Sequence, residues 1–155
     1  MHLVKRLGVC FLAGFLALGC GDSGFVKARG RVIKGGEPFL ADEGEGMRIV
    51  FVPLEASGTK YDTYAAAYDP YDGSFFVMGK QDKGLPPGKY RVSIELIKKK
   101  EDLLNGKLMG AKSPLTLEVT KNSKDLVIDL DQANFDKLLA NAAAKPAKRG
   151  SAKRN

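Results

Sequence analysis

Alternation of apolar and polar residues is the dominant signal in this chain. Val26, Ala28, Gly30 and Val32 share one parity, and Lys27, Arg29 and Arg31 the other. That period of two marks a half-buried strand over 25–33, here with a basic outer face. Tyr90, Val92, Ile94 and Leu96 alternate with Arg91, Ser93 and Glu95. Leu115, Leu117 and Val119 alternate with Thr116, Glu118 and Thr120. Leu126, Ile128 and Leu130 alternate with Val127 and Asp129 to close the sheet. In 60–68, Tyr64, Ala66 and Tyr68 fall opposite Thr63, Ala65 and Ala67, and 74–78 is an aromatic, β-branched run,. Segment 47–54 is apolar on both parities apart from Arg48, which predicts a central strand covered on both faces. Pro53, lacking an N–H for the ladder, marks its end,.

Turn chemistry separates these runs. Gly35-Gly36-Glu37-Pro38, Asp69-Pro70-Tyr71-Asp72-Gly73, Pro86-Pro87-Gly88 and Lys121-Asn122-Ser123-Lys124 each concentrate residues that favour reversal,. Residues 41–46 are acidic and glycine-rich and read as a loop; residues 98–113 read as a long solvated loop or hairpin. After the last strand, Asp131 is placed to N-cap a helix. Phe135, Leu138, Leu139 and Ala142 then follow the spacing of one amphipathic face,. The prediction is an all-β domain, a seven-stranded antiparallel β-sandwich with a short C-terminal helix packed on it.

Five segments in order carry a resemblance. They are Val-Lys-Ala-Arg-Gly-Arg-Val at 26–32, Gly-Glu-Pro at 36–38, Ile-Val-Phe-Val-Pro at 49–53, Asp-Pro-Tyr-Asp-Gly-Ser-Phe at 69–75 and Leu-Pro-Pro-Gly-Lys-Tyr-Arg-Val at 85–92. This series resembles the transthyretin-like, carboxypeptidase regulatory-like domains, which are prealbumin-type, Ig-like sandwiches that recur in small bacterial lipoproteins. The resemblance covers about residues 26–131. It implies a fold and no shared active site. The 98–113 loop and the C-terminal helix depart from the family's compact pattern.

The N-terminus changes the picture of where this domain sits. Lys5 and Arg6 precede a wholly apolar or small run over 7–19, ending Leu16-Ala17-Leu18-Gly19-Cys20. Thirteen residues fall short of the roughly twenty that span a bilayer and suit a secretory signal. The ending resembles the lipobox of bacterial lipoproteins, which implies lipidation of Cys20 and a membrane-anchored, extracytoplasmic (periplasmic) protein. The alternative is ordinary cleavage that leaves Cys20 free. Of the two cysteines, Cys10 departs with the signal, so the mature chain cannot form an internal disulfide,. The organisation expected is a signal at 1–19, a tether at 20–25, the sandwich at 26–131, the helix at 132–144 and a disordered basic tail at 145–155.

Charge follows from this division. The formal net charge is +7. Loss of Lys5 and Arg6 leaves +5, and the tail alone carries five cations (Lys145, Lys148, Arg149, Lys153 and Arg154) with no acid. The body therefore balances, and a nucleic-acid partner is not expected,.

Candidate chemistry is sparse. His2, the single histidine, leaves with the signal, which removes imidazole-based nucleophile systems and the commonest metal ligand,. The related fold that hydrolyses 5-hydroxyisourate relies on histidines and a C-terminal Tyr-Arg-Gly-Ser motif. Here Lys148-Arg149-Gly150-Ser151 lacks the tyrosine. Asp69 with Asp72, or Asp42 with Glu43 and Glu45, offer oxygen ligands, but neither group has EF-hand spacing. No metal, cofactor or catalytic residue is expected. Tyr61, Tyr64, Tyr68 and Tyr71 are the candidate ligand-binding residues: exposed, they would stack on sugar rings or grip a peptide; buried, they would fill the core or its rim. The function expected is a non-catalytic structural or protein-interaction module of the envelope. The alternative is a carbohydrate- or peptide-binding module.

Overall fold

The structure, a computed structural model, describes residues 24–55 and 62–143. The signal segment, Cys20, Tyr61 and the basic tail lie outside the described residues. Nine strands join in one curled sheet: β1 (Arg29–Lys34), β2 (Glu37–Pro38), β3 (Glu45–Pro53), β4 (Tyr64–Tyr68), β5 (Ser74–Val77), β6 (Gly88–Lys98), β7 (Glu101–Asp102), β8 (Thr116–Val119) and β9 (Leu126–Asp129). Helix α1 (Phe135–Ala143) follows. β2 and β7 are two-residue pairings; the other seven correspond to the seven strands expected from the sequence.

The ladder runs β2-β1-β5-β4-β3-β6-β7, with β9 added to β1 and β8 to β6. The longest pairing, β3 with β6, sets Met47 opposite Leu96 and Phe51 opposite Val92. The result is all-β and curled like half a barrel. β8 and β9 line a narrow cavity together, yet no ladder joins them among the described residues. One pairing departs from the antiparallel expectation: β9 runs parallel to β1, Val32 opposite Ile128. Two distant segments can pair in this sense because a long excursion separates them.

Inward positions form one core. Val32, Ile49, Phe51, Phe75, Tyr90, Val92, Ile94 and Ile128 are all buried in it. Phe51 packs on Phe75 and Tyr90 with ring centroids 5.9 and 6.1 Å apart. β3 corrects the expectation of cover on both faces: its odd-numbered positions 47–51 are buried, but Val50 and Val52 stay half-exposed and Arg48 is exposed. A single layer of sheet buries one face only.

Residues 98–113 open with the hairpin that the sequence allowed, Lys98 opposite Glu101, but the segment is not solvated throughout. Leu104 and Leu108 are fully buried in the core. The segment and Leu115 just beyond it run along the edge of β6 that also pairs with β7 and β8, and supply further partners there. Asp102 Oδ1 accepts from Leu96 N–H, the Leu108 carbonyl from Ile94 N–H, and the Leu115 carbonyl from Val92 N–H. Buried backbone groups demand partners, and here an irregular segment provides them.

Asp131 does not cap α1. Asp129 caps the short 3-10 turn Leu130–Ala133, Asn134 takes a left-handed φ of 51°, and α1 starts at Phe135. Asp131 instead accepts from Gly35 N–H at 2.7 Å, tying the C-terminal turn to the β1–β2 hairpin. Phe135 is buried edge-on against Phe39, centroids 5.3 Å apart, and Leu138 and Leu139 pack partly on the core.

Candidate functional site

The parity that buries Ala28 and Val32 turns Lys27, Arg29 and Arg31 outward on β1 and the residues just before it. β5 lies on one side of this row, with Phe76 paired to Arg29 and Ser74 to Arg31. β9 lies on the other, with Val127 paired to Arg31. Phe75 faces the core, so Phe76 must face water, and it is 57% exposed; Val127 is 48% exposed. The outcome is an open groove of about 810 Å³ along the outside of β1, β5 and β9. A second hollow of about 420 Å³ continues it past Lys27, Met78 and Asp82, and both share Arg29, Phe76 and Lys124.

Two close backbone approaches set the groove's shape. A Cβ on Gly30 would collide with the Leu126 carbonyl, so only glycine lets β9 lie this close to β1,. At the other end, a Cβ on Gly84 would strike the Val26 carbonyl. There Val26 and Leu85 exchange N–H···O bonds of 2.8 and 3.0 Å, which pins the entry of the chain into the domain beside Lys27.

The charge of the lining is uneven. Lys27, Arg29, Arg31 and Lys124 contribute four cations; Asp82 and Asp125 contribute two anions. The ion pairs Lys34–Asp136, Arg48–Glu95 and Lys98–Glu45 lie elsewhere. Asp72, at the β4–β5 turn, is held below the usual carboxylate range. The Ser74 hydroxyl is the main cause, followed by the Ser74 N–H, which donates at 2.8 Å; Arg31 adds to this.

The predicted tyrosines do not form one surface. Tyr64 is 4% exposed and meets Tyr90 edge-on at 6.0 Å. Tyr68 is half-buried and donates its O–H to the Phe39 carbonyl at 2.6 Å; burial raises its pKa. Tyr71 stands 90% exposed at the tip of the β4–β5 turn. The inward parity of β4 assigns Tyr64 and Tyr68 to the interior, and among the described tyrosines of the four a turn position, Tyr71, points out.

Asp69, Asp72 and Glu45 are each engaged by a partner in the protein. Asp69 accepts from Tyr71 N–H at 2.9 Å, and Glu45 accepts from Lys98 Nζ at 3.0 Å, which raises the lysine's pKa. Among the described residues no group of three or more His, Cys, Asp or Glu is placed to hold a metal. Nor, among them, is any helix long and apolar enough to cross a membrane.

The basic row of β1 is visible as parity in the sequence. Phe76, Val127 and Lys124 are not singled out by it. The adjacent Phe75-Phe76 pair signals one ring inside and one outside, but nothing local says which strands flank β1. Comparison of the chain with known protein families, curated proteins and solved structures finds no match.

Proposed function

We propose that the chain is a lipoprotein, anchored through Cys20, whose transthyretin-like β-domain serves as a non-catalytic interaction module of the bacterial envelope. The observation that carries this reading is the groove over β1, β5 and β9. It combines outward cations with exposed Phe76 and Val127, and charged and aromatic surface of this kind suits binding. Beside it, the Asp72 carboxylate accepts from the Ser74 N–H at 2.8 Å within the β4–β5 turn. The anchor reading is supported by the residues before Cys20 and by the short apolar run,. More than one acyl chain on Cys20, at about 0.8 kcal/mol per buried CH₂, gives stable attachment. The carbohydrate- or peptide-binding reading keeps Tyr71 and loses Tyr64 and Tyr68 to the interior.

The test is intact mass and membrane fractionation of the full chain expressed in a bacterial host, beside Cys20→Ser. The expected result is a mature protein starting at Cys20 with added acyl mass, found with membranes, and both features lost in the variant. A soluble wild-type protein, or one retaining residues 1–19, refutes the anchor.

A further inference from the structure

We infer that the basic, aromatic face of β1, β5 and β9 is a second membrane contact: it lays the domain against the anionic lipid surface that holds the anchor. This rests on the lipoprotein reading for its location alone, since the chemistry of the face stands independently of it.

Three observations converge. The first is position. Lys27 lies seven residues after Cys20, and a chain spans at most about 3.6 Å per residue, so this end of the face stays within about 25 Å of a lipidated Cys20. The chain enters the domain beside this face, pinned by the Val26–Leu85 pairing. The second is charge. Four cations against two anions line the groove, and anionic headgroups attract such a surface over a Debye length. The third is the apolar component. Phe76, Val127 and Met78 are exposed between the cations, and neighbouring outward positions on β4 are small, Ala65 and Ala67. Exposed aromatic and aliphatic groups amid Lys and Arg suit insertion at the headgroup boundary.

The same charge argument disfavours other occupants. The tail at 145–155 carries five cations and no acid and would be repelled. A second copy would set the same cations face to face. An acidic protein would satisfy the cations, but it would not account for the short reach to Cys20.

The experiment uses the mature chain from residue 20 with Cys20→Ser, which carries neither the signal segment nor an acyl group, so that binding reports the face and not the anchor. Vesicles of equal parts phosphatidylglycerol and phosphatidylcholine are compared with phosphatidylcholine alone by co-sedimentation. Binding is expected on the anionic vesicles only, falling with added salt. Arg29→Gln with Arg31→Gln should weaken it about 30-fold, roughly fivefold for each cation removed. Neutralising the five cations of the tail should leave that loss intact. Thermal melts confirm that the variants fold, since the altered side chains point to solvent.

The chain has no tryptophan, so Phe76→Trp adds a single reporter. Its emission should shift to the blue on anionic vesicles alone. Equal binding by the doubly substituted Arg29 and Arg31 variant, or binding carried wholly by the tail, overturns the proposal. So does an indole emission from the Phe76→Trp chain that stays unshifted on those vesicles, and so does equal affinity for both vesicle types. Capture of an acidic protein by the face in competition with vesicles would also overturn it.

Discussion

Removal of the Asp102 carboxylate should destabilise the domain by about 3 kcal/mol, although Asp102 sits in a stretch whose sequence looks like exposed loop. Asp102 Oδ1 accepts from Leu96 N–H at 3.1 Å and from Leu104 N–H at 3.0 Å. Its Oδ2 accepts from Gly106 N–H at 2.7 Å. One bond closes the edge of β6, and the other two fold the turn that delivers Leu104 to the core. A net contribution of about 1 kcal/mol per bond, somewhat more for an ionised acceptor, gives about 3 kcal/mol for Asp102→Ala. Because Gly106 is only partly buried, water recovers part of its share, so the range is about 2–4 kcal/mol.

Asp102→Asn keeps an oxygen for Leu96 and Leu104 but turns an NH₂ toward Gly106 N–H, and should lose about half as much. Urea unfolding of the Cys20→Ser chain measures both, and for a domain of this size Ala should lower the melting temperature by about 10 °C. Hydrogen exchange at Leu96, Leu104 and Gly106 should quicken before the rest of the sheet is affected. A loss below about 0.5 kcal/mol for Asp102→Ala, the scale of ordinary surface changes, would refute the reasoning.

Three further outcomes follow from the packing. Leu104→Ala should cost about 2–4 kcal/mol, since the side chain is fully buried, whereas Tyr71→Ser should change stability by less than about 0.5 kcal/mol; urea midpoints separate the two. Gly30→Ala drives a Cβ into the Leu126 carbonyl and should cost at least about 2 kcal/mol, read as lost exchange protection in β9 before β3. Tyr90 is pushed up to about 12, chiefly by burial and secondarily by Tyr64. A pKa raised in the folded state leaves stability intact below about pH 10 and erodes it as pH climbs from about 10 to 12, because the unfolded phenol ionises first. With discounting for partial solvation the loss is about 1–2 kcal/mol, visible as a falling melting temperature with a late tyrosinate absorbance step. Tyr90→Phe should lose that step, together with the O–H bond to the Pro86 carbonyl.

Much of the sheet is legible from parity alone. Tyr90, Val92, Ile94 and Leu96 are buried as alternation requires, and the Asp-Pro-Tyr-Asp-Gly turn joins the strands it was expected to join. The basic row of β1 is legible for the same reason: side chains on a strand leave opposite faces at a fixed period. What parity does not reveal is partnership. That β9 lies parallel to β1, putting Val127 beside Arg31, depends on segments nearly one hundred residues apart and on a glycine that lets their backbones touch.

Residues 98–113 escape the pattern because their two buried leucines follow no period; Leu104 and Leu108 are delivered by turns with positive φ at Asn105 and Gly106. The tyrosines stay open between core and surface in the sequence, and packing places Tyr64 beside Tyr90 and leaves Tyr71 in water. Which residues can form strands, and which face of each is wet, is written in the chain itself, because those are local properties of backbone and side chain. Which wet faces adjoin, and so make one groove of cations and aromatic surface, emerges only on folding, because sheet pairing is settled by contacts that no short window contains.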